Sequence, residues 1–309
     1  MKKKSMIALT AIMAATTTTL VACKDNSTQS NNGSNQKITA VGAENEYADV
    51  ISQIGGKYVN VTGIMSNPET DPHTYEANTK DASLISKATL IVQNGLGYDD
   101  FMDKLESNSE KTNQKIINVA KSLSYSDKTE NPHLWYDTKT MFKVASLIEK
   151  NLEKQMPSQK SYFEKNLEKF NDSLKSWNND IETLKTTYAG AKVAVTEPVS
   201  DYLVDAAGMT NMTPWNYQAA VMNGVDPSPQ DIKTQQNLFK NKEIKVFLYN
   251  QQAVDESTTE LLNLAKENNV PVVGVYETMP SGYTYQKWME SETKAIIKAI
   301  QDGKSTEKL

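Results

Sequence analysis

Residues 38–65, ITAVGAENEYADVISQIGGKYVNVTGIM, carry the pattern that decides the fold. Ile38 to Ala43 predicts a strand, Glu46 to Ile54 a helix, and Tyr58 to Met65 a second strand. Working outward, a helix is expected near Ala82 to Lys87, a strand at Thr89 to Val92, a helix over Asp99 to Leu105 and a strand near Lys115 to Val119. Strand and helix taking turns implies parallel pairing with helices on both faces of a sheet.

Thr138 to about Tyr188 has no strand signal. Its apolar residues recur at helical spacing, with Pro157 dividing two helices, the second long enough to act as a rigid connector. The alternation then resumes with a strand at Lys192 to Val195, a helix at Val199 to Ala207, a helix from Ser228 and a strand at Ile244 to Leu248. A helix at Ser257 to Glu267, a strand at Val270 to Tyr276 and a last helix at Tyr285 to Ile300 complete it. Ser228-Pro229-Gln230-Asp231 is a helix start, with Ser as cap, Pro in the first turn and Asp at the positive end of the dipole. The expected class is α/β, with two lobes of similar size, residues 37–157 and 189–309, their sheets mostly parallel, joined by one long helix over residues 158–188.

Residues 1–22 have the layout of an export signal: Lys2, Lys3 and Lys4, an apolar run from Met6 to Ala15, then small residues ending Leu20-Val21-Ala22 before Cys23. The Thr run 16–19 leaves the apolar stretch short of the ~20 residues that span a bilayer. Cys23 is the only cysteine, which rules out an intrachain disulfide. Its setting resembles a bacterial lipoprotein box, in which the thiol is lipidated (for example by palmitate) and becomes the mature N-terminus. Residues 23–36 have little to bury and form a flexible tether. The expected location is the extracytoplasmic face of the cell membrane, held by lipid.

The net charge of the 309 residues is −5; residues 1–22 hold three lysines and no acid, so a mature chain carries −8. Nucleic acid is not an expected partner. All 33 basic residues are lysine. The missing guanidinium fork weighs against a receptor for carboxylates, nucleotides or phosphate esters and makes a cation the easier ligand.

The chain has two histidines, and both stand in one frame, Asp71-Pro72-His73 and Asn131-Pro132-His133. Imidazole is the commonest protein ligand for a transition metal, and a preceding proline stiffens the loop that presents it. In open parallel sheets ligands collect at the carboxyl ends of strands. Glu197 follows the strand Val193-Ala194-Val195, and Glu277 follows Val272 to Tyr276. Each has a plainer alternative: Glu197 as an acid favouring a helix N-terminus, Glu277 as a solvated loop carboxylate. Trp135 and Tyr75 either shield the histidines or simply pack, and Asn94 either hydrogen-bonds near the site or only shapes the turn at Gly95 and Gly97.

The motifs Asp71-Pro72-His73-Thr74-Tyr75-Glu76, Asn94-Gly95-Leu96-Gly97-Tyr98-Asp99 and Asn131-Pro132-His133-Leu134-Trp135, in that order, resemble the solute-binding lipoproteins of zinc and manganese ABC importers, from about Lys37 to Ile300. The resemblance implies two α/β lobes bridged by a long helix, with the metal between them. Its first two ligands fall on His73 and His133 and its third on Glu197. The fourth, usually an aspartate, falls on Glu277, a departure from the pattern, with Asp255 in reserve. Zinc-selective relatives carry a third histidine ligand and a His-rich loop, and neither is present. Two imidazoles with two carboxylates suit Mn²⁺, while Zn²⁺ binds more tightly by the Irving–Williams order. The implied partners are an ABC permease and its ATPase, with the receptor a monomer and the metal carried as cargo. A surface metallohydrolase is the rival from another class, disfavoured by the lack of a His-Glu-x-x-His helix; a lipoprotein adhesin is the third reading.

Overall fold

The computed structural model describes residues 37–67, 75–107, 109 and 113–309. The export signal, Cys23, the tether and His73 lie outside the described residues. In the N-terminal lobe β1 (Ile38–Glu44), α1 (Asn45–Gly55), β2 (Val59–Met65), α2 (Thr79–Lys87), β3 (Leu90–Gln93), α3 (Phe101–Ser107), β4 (Lys115–Asn118) and α4 (Val119–Ser122) build a parallel sheet of order β2-β1-β3-β4. Every residue of β3 is buried, as it must be in a strand covered on both faces.

Helix α5 (Thr140–Gln155) leads into the connector. Instead of one uninterrupted rod, the connector is two helices, α6 (Lys160–Ser173) and α7 (Lys175–Thr187), meeting at Leu174. Leu174 keeps helical dihedrals (φ −80°, ψ −10°), and the Asn178 N–H still reaches its carbonyl at 3.0 Å, so the axis continues with one irregular turn. Leu174 is fully buried beside Phe170 and Trp177, so the irregular turn lies over packed core.

The C-terminal lobe contains β5 (Lys192–Val195), α8 (Asp201–Ala206), β6 (Thr210–Asn211), α9 (Trp215–Met222), α10 (Pro229–Lys240), β7 (Val246–Asn250), α11 (Glu256–Glu267), β8 (Val272–Val275) and α12 (Tyr285–Asp302). Its parallel sheet has the order β6-β5-β7-β8. Ser228 caps α10 as expected, its hydroxyl accepting the Asp231 N–H at 3.2 Å. After α12 the chain runs along β8: Thr306 pairs with Val273 in parallel, its N–H donating to the Val272 carbonyl at 2.8 Å and its carbonyl accepting the Gly274 N–H at 2.9 Å. This covers an edge that would otherwise stay open. Among the described residues no helix is long and apolar enough to cross a membrane.

The lobes share one interior. A single cluster of buried residues runs from Leu90 and Val92 under the first sheet, through Trp135, Tyr136, Tyr285 and Trp288, to Val193, Val195 and Val273 under the second. Hydrogen bonds stitch the same seam. Asn45 donates to the Met279 carbonyl (2.8 Å) and accepts the Met279 N–H (2.9 Å), Asp49 accepts the Tyr285 N–H (2.8 Å), and Gln53 and Gln286 bond reciprocally. The Tyr285 hydroxyl donates to the Trp135 carbonyl at 2.5 Å. Swinging the lobes apart would expose this shared apolar interior and break these hydrogen bonds, which costs both apolar burial and unpaired donors.

At its centre the Tyr136 hydroxyl lies 2.8 Å from the Tyr276 carbonyl and 2.7 Å from Glu292 Oε2, while Trp288 Nε1 donates to Glu292 Oε1 at 2.6 Å. One phenolic proton cannot serve two acceptors. Burial pushes the Glu292 carboxyl up to about 8, so at neutral pH it holds its own proton and the chain Glu292 to Tyr136 to Tyr276 is satisfied. The folded state therefore binds this proton more tightly than the unfolded chain, where the group titrates near 4.5. Its stabilising contribution is complete below that value and is lost as pH rises toward 8. In Glu292→Gln, whose amide can donate to Tyr136 and accept from Trp288, the fall in melting temperature across this pH window is expected to flatten; thermal melts of both proteins at matched pH check it.

Candidate metal centre

Glu197 follows β5, Asn250 ends β7 and Glu277 lies two residues past β8, so all three side chains start from the carboxyl edge of the second sheet. β5 and β7 are the adjacent strands at which the strand order of that sheet reverses, the place where a parallel sheet opens a crevice. His133 comes from the first lobe, at the start of the short turn Leu134–Tyr136. The structure brings His133, Glu197 and Glu277 together out of water, at 0%, 3% and 1% exposure.

The His133 ring is oriented by its own loop. Asn131 Oδ1 takes both the His133 backbone N–H (3.0 Å) and ring Nδ1 (2.7 Å), while its Nδ2 donates to the Pro198 carbonyl (2.8 Å). Turning the amide over would break all three bonds, so Oδ1 faces the ring and Nδ1 carries the proton. Nε2 faces Glu277 Oε2 at 3.4 Å and, in the neutral ring, is the nitrogen with the lone pair. The Tyr98 hydroxyl donates to the same oxygen at 3.2 Å. Tyr98 and Trp135 meet the imidazole edge-on, with ring centroids 5.7 and 5.4 Å away. Trp135 thus shields His133, whereas the Tyr75 hydroxyl bonds to Asp81 and its ring packs on Phe101.

Asn250 is the centre of the carboxylate side. Its Nδ2 donates to Glu197 Oε1 at 2.8 Å and also to Glu277 Oε1. Its Oδ1 accepts the Gln252 N–H at 2.9 Å, which fixes the amide the right way round. Gln252 Oε1 in turn holds the Glu277 and Thr278 backbone N–H groups at 2.6 and 2.8 Å. Glu197 occupies the position before a short helical turn, where its side chain makes no cap bond, and Glu277 is buried and not a solvated loop acid. Asp255 is exposed and caps α11 through the Thr258 N–H (2.6 Å).

The first lobe supports this face with a tight loop. Gly95, Leu96 and Gly97 all have positive φ (86°, 59° and 81°), a left-handed run that glycine at both ends makes affordable. It folds Asp99 back to accept the Asn94 and Gly95 N–H groups at 2.6 and 2.8 Å. Asn94 then donates to the Pro132 carbonyl at 2.8 Å, directly before His133. Asn94 therefore does both things expected of it, shaping the turn and bracing the histidine loop. Burial pushes Asp99 up to about 6, and burial followed by the charge of Asp99 pushes Glu44, at the end of β1, well above the usual carboxylate range. Glu46 is raised likewise, first by burial. Glu44 and Glu46 thus resist ionisation, whereas Asp99 stays ionised at neutral pH.

Asn131 and Asn250 are the residues that sequence reasoning did not assign. Asn250 carries the same positional signal as Glu197, a polar side chain at the carboxyl end of a buried strand. Asn131 stands in the histidine motif itself.

Residues 41–299 match the family profile described as zinc-uptake complex component A, periplasmic (ZnuA). The chain is 25% identical over 301 residues to the manganese ABC transporter substrate-binding lipoprotein PsaA of Streptococcus anginosus, covering 91% of this chain and 94% of that one. It is 23% identical over 293 residues to the manganese-binding lipoprotein MntA of Bacillus subtilis, covering 86% and 90%. Among solved structures, the Mn-bound periplasmic metal binding protein of Candidatus Liberibacter asiaticus superposes with a TM-score of 0.68 at 23% identity, over 85% of this chain and all of that one. With its two parallel-sheet lobes and a match spanning most of its length, the chain belongs to the ZnuA family, the solute-binding proteins of metal ABC importers.

Proposed function

We propose that this protein is a lipid-tethered receptor that captures one divalent cation, Mn²⁺ or Zn²⁺, between its lobes and hands it to an ABC permease driven by an ATPase. His73, His133, Glu197 and Glu277 hold the ion, and lipidated Cys23 keeps the protein at the extracytoplasmic face of the membrane. The observation that carries this reading is the meeting of His133 Nε2 with Glu277 Oε2 at 3.4 Å, beside a second buried glutamate bound to the same asparagine. A ring nitrogen and carboxylate oxygens gathered in a buried site are donors of the kind that ligate a divalent transition-metal cation. Asn250 and Tyr98 hold these oxygens in place by hydrogen bonds. The names of the curated relatives point to the same cargo class, manganese in two of them, and to lipoproteins.

Carriage accounts for a donor set drawn wholly from side chains better than hydrolysis does. A catalytic site keeps a position for water, whereas cargo is enclosed. Because the lobes share a packed seam, capture acts on the loops that carry the ligands and leaves the seam closed.

Calorimetry of the purified protein is expected to give one Zn²⁺ or Mn²⁺ per chain, and His73→Ala with His133→Ala to abolish high-affinity binding; unchanged binding in the double variant overturns the ligand assignment. Asn131→Ala frees the imidazole tautomer and orientation, and is expected to weaken Zn²⁺ by roughly 10- to 100-fold, the usual cost of losing a hydrogen bond behind a ligand. Competition titration against a chromophoric chelator measures that shift, and an unchanged affinity would show that the Asn131 bond plays no part.

A further inference from the structure

We propose that the cavity between α9 and the loops of the first lobe is the passage by which the cation reaches and leaves its site, and that Trp215 and Met222 set the rate of that exchange. The inference rests on the receptor reading above and deepens it, because it names the route to the same site and the side chains that regulate it.

His133, Glu197 and Glu277 are all buried, so an ion reaches them only by passing a wall of side chains. On the inner side that wall is the shared core, where Trp135, Tyr136, Tyr285 and Trp288 pack together. Elsewhere it is thin. A cavity of about 350 Å³ lies between Leu96, Tyr98 and Pro132 of the first lobe and Trp215, Ala219 and Met222 of the second. Tyr98 lines this cavity and also donates its hydroxyl to Glu277 Oε2 at 3.2 Å, and its ring meets the His133 imidazole edge-on. Pro132, on the same lining, directly precedes His133. One layer of side chains therefore separates the cavity from His133 and Glu277. The exposed carboxylate of Glu130, also on the lining, favours the approach of a cation.

The second-lobe wall of this cavity is α9, a helix with apolar side chains on two faces. Trp215, Ala219 and Met222, spaced i, i+4 and i+7, share the face toward the cavity and are half-buried. Tyr217 and Val221 lie on the opposite face and pack into the cluster that holds Phe239 and Phe247, while Gln218 Nε2 ties the helix to the Thr213 carbonyl at 2.9 Å. The next residues, Asn223 to Asp226, are all exposed. A helix this short takes its stability from packing, and here one face packs while the other fronts open space. A hydrated dication passing Trp215 and Met222 gives up water contacts that apolar walls do not replace, so these side chains raise the barrier to passage. They are no part of the donor set. A barrier raised without a change in either end state slows entry and exit by the same factor and leaves affinity untouched.

The test measures Zn²⁺ exchange in the purified protein. Dissociation is followed by trapping released Zn²⁺ with excess chromophoric chelator, Kd comes from competition at equilibrium, and their ratio gives the association rate. Trp215→Ala is expected to raise both rates by about tenfold with Kd held within about twofold. Ala219→Leu, which adds bulk to the same helix face, is expected to lower both by about tenfold with Kd again unchanged. Val225→Ala, in the exposed loop after α9 and off the cavity lining, serves as the control and is expected to leave both rates as they are. Unchanged rates in Trp215→Ala and Ala219→Leu, a change in one rate that appears in full in Kd, or an equal acceleration in Val225→Ala overturns the passage while the receptor reading stands. A wild-type protein that binds no Zn²⁺ takes both down. If Trp215→Ala does not fold, Met222→Ala and Ala219→Leu decide, faster exchange in the first and slower in the second supporting the passage and unchanged exchange overturning it.

Discussion

The packed seam between the lobes is the constraint from which the site takes its shape. Tyr136 belongs to the turn that follows His133, and its hydroxyl reaches the Tyr276 carbonyl one residue before Glu277. The first lobe's histidine loop and the second lobe's glutamate loop are therefore fixed to each other within a few bonds of the chemistry. Asn131 makes the matching link on the other side, since its amide holds both the His133 ring and the carbonyl that follows Glu197. A site assembled from two halves is usually only as precise as the hinge between them. Here buried hydrogen bonds beside the ligands replace the hinge, and a half-satisfied version of that network would cost more than an apolar seam.

Charge is managed by the same burial. Glu292 stays protonated at neutral pH, and Glu44, Glu46 and Asp99 are all pushed upward by their surroundings. Of these buried acids, Glu292 is held neutral at neutral pH and Glu44 and Glu46 are pushed toward the neutral form, while Asp99, at about 6, carries charge. The carboxylates facing the imidazole are held by polar donors, Asn250 on Glu197 and Glu277 and Tyr98 on Glu277. On the proposed assignment, a cation would meet carboxylates that already lie in place, which reduces the reorganisation its binding needs.

The alternation of strands and helices, the parallel sheets and the positions of Glu197 and Glu277 at strand ends were all readable from residue types, because period and punctuation encode them directly. The break at Leu174 was not, since no glycine or proline marks it and a buried leucine is as good inside a helix as between two. β6 has only two residues, and α9 buries only Tyr217 and Gln218, so neither has the length or the apolar stripe that a periodic reading needs. The roles of Asn131 and Asn250 were hidden for a different reason. An asparagine at a strand end or in a loop has many uses, and only the direction of its amide, fixed by partners distant in sequence, says which one applies.

Glutamate at 277, where the family resemblance leads one to expect an aspartate, follows from this arrangement. An added methylene lengthens the reach and adds a rotatable bond, and on a loose loop that freedom would blur both the position and the number of oxygens offered to a metal. The loop is not loose at this point. Gln252 fixes the backbone N–H of Glu277, Tyr136 fixes the carbonyl just before it, and Asn250 and Tyr98 take one carboxylate oxygen each. The longer side chain is held at both ends, so the fold has already removed most of the entropy that its extra bond would cost on binding. Shortening it to aspartate would draw the carboxylate back from partners that the sheet edge and the first lobe hold still, leaving a buried amide hydrogen and a buried hydroxyl to find other acceptors. The departure from the usual residue is therefore tied to Asn250: the donor stands where a glutamate reaches it.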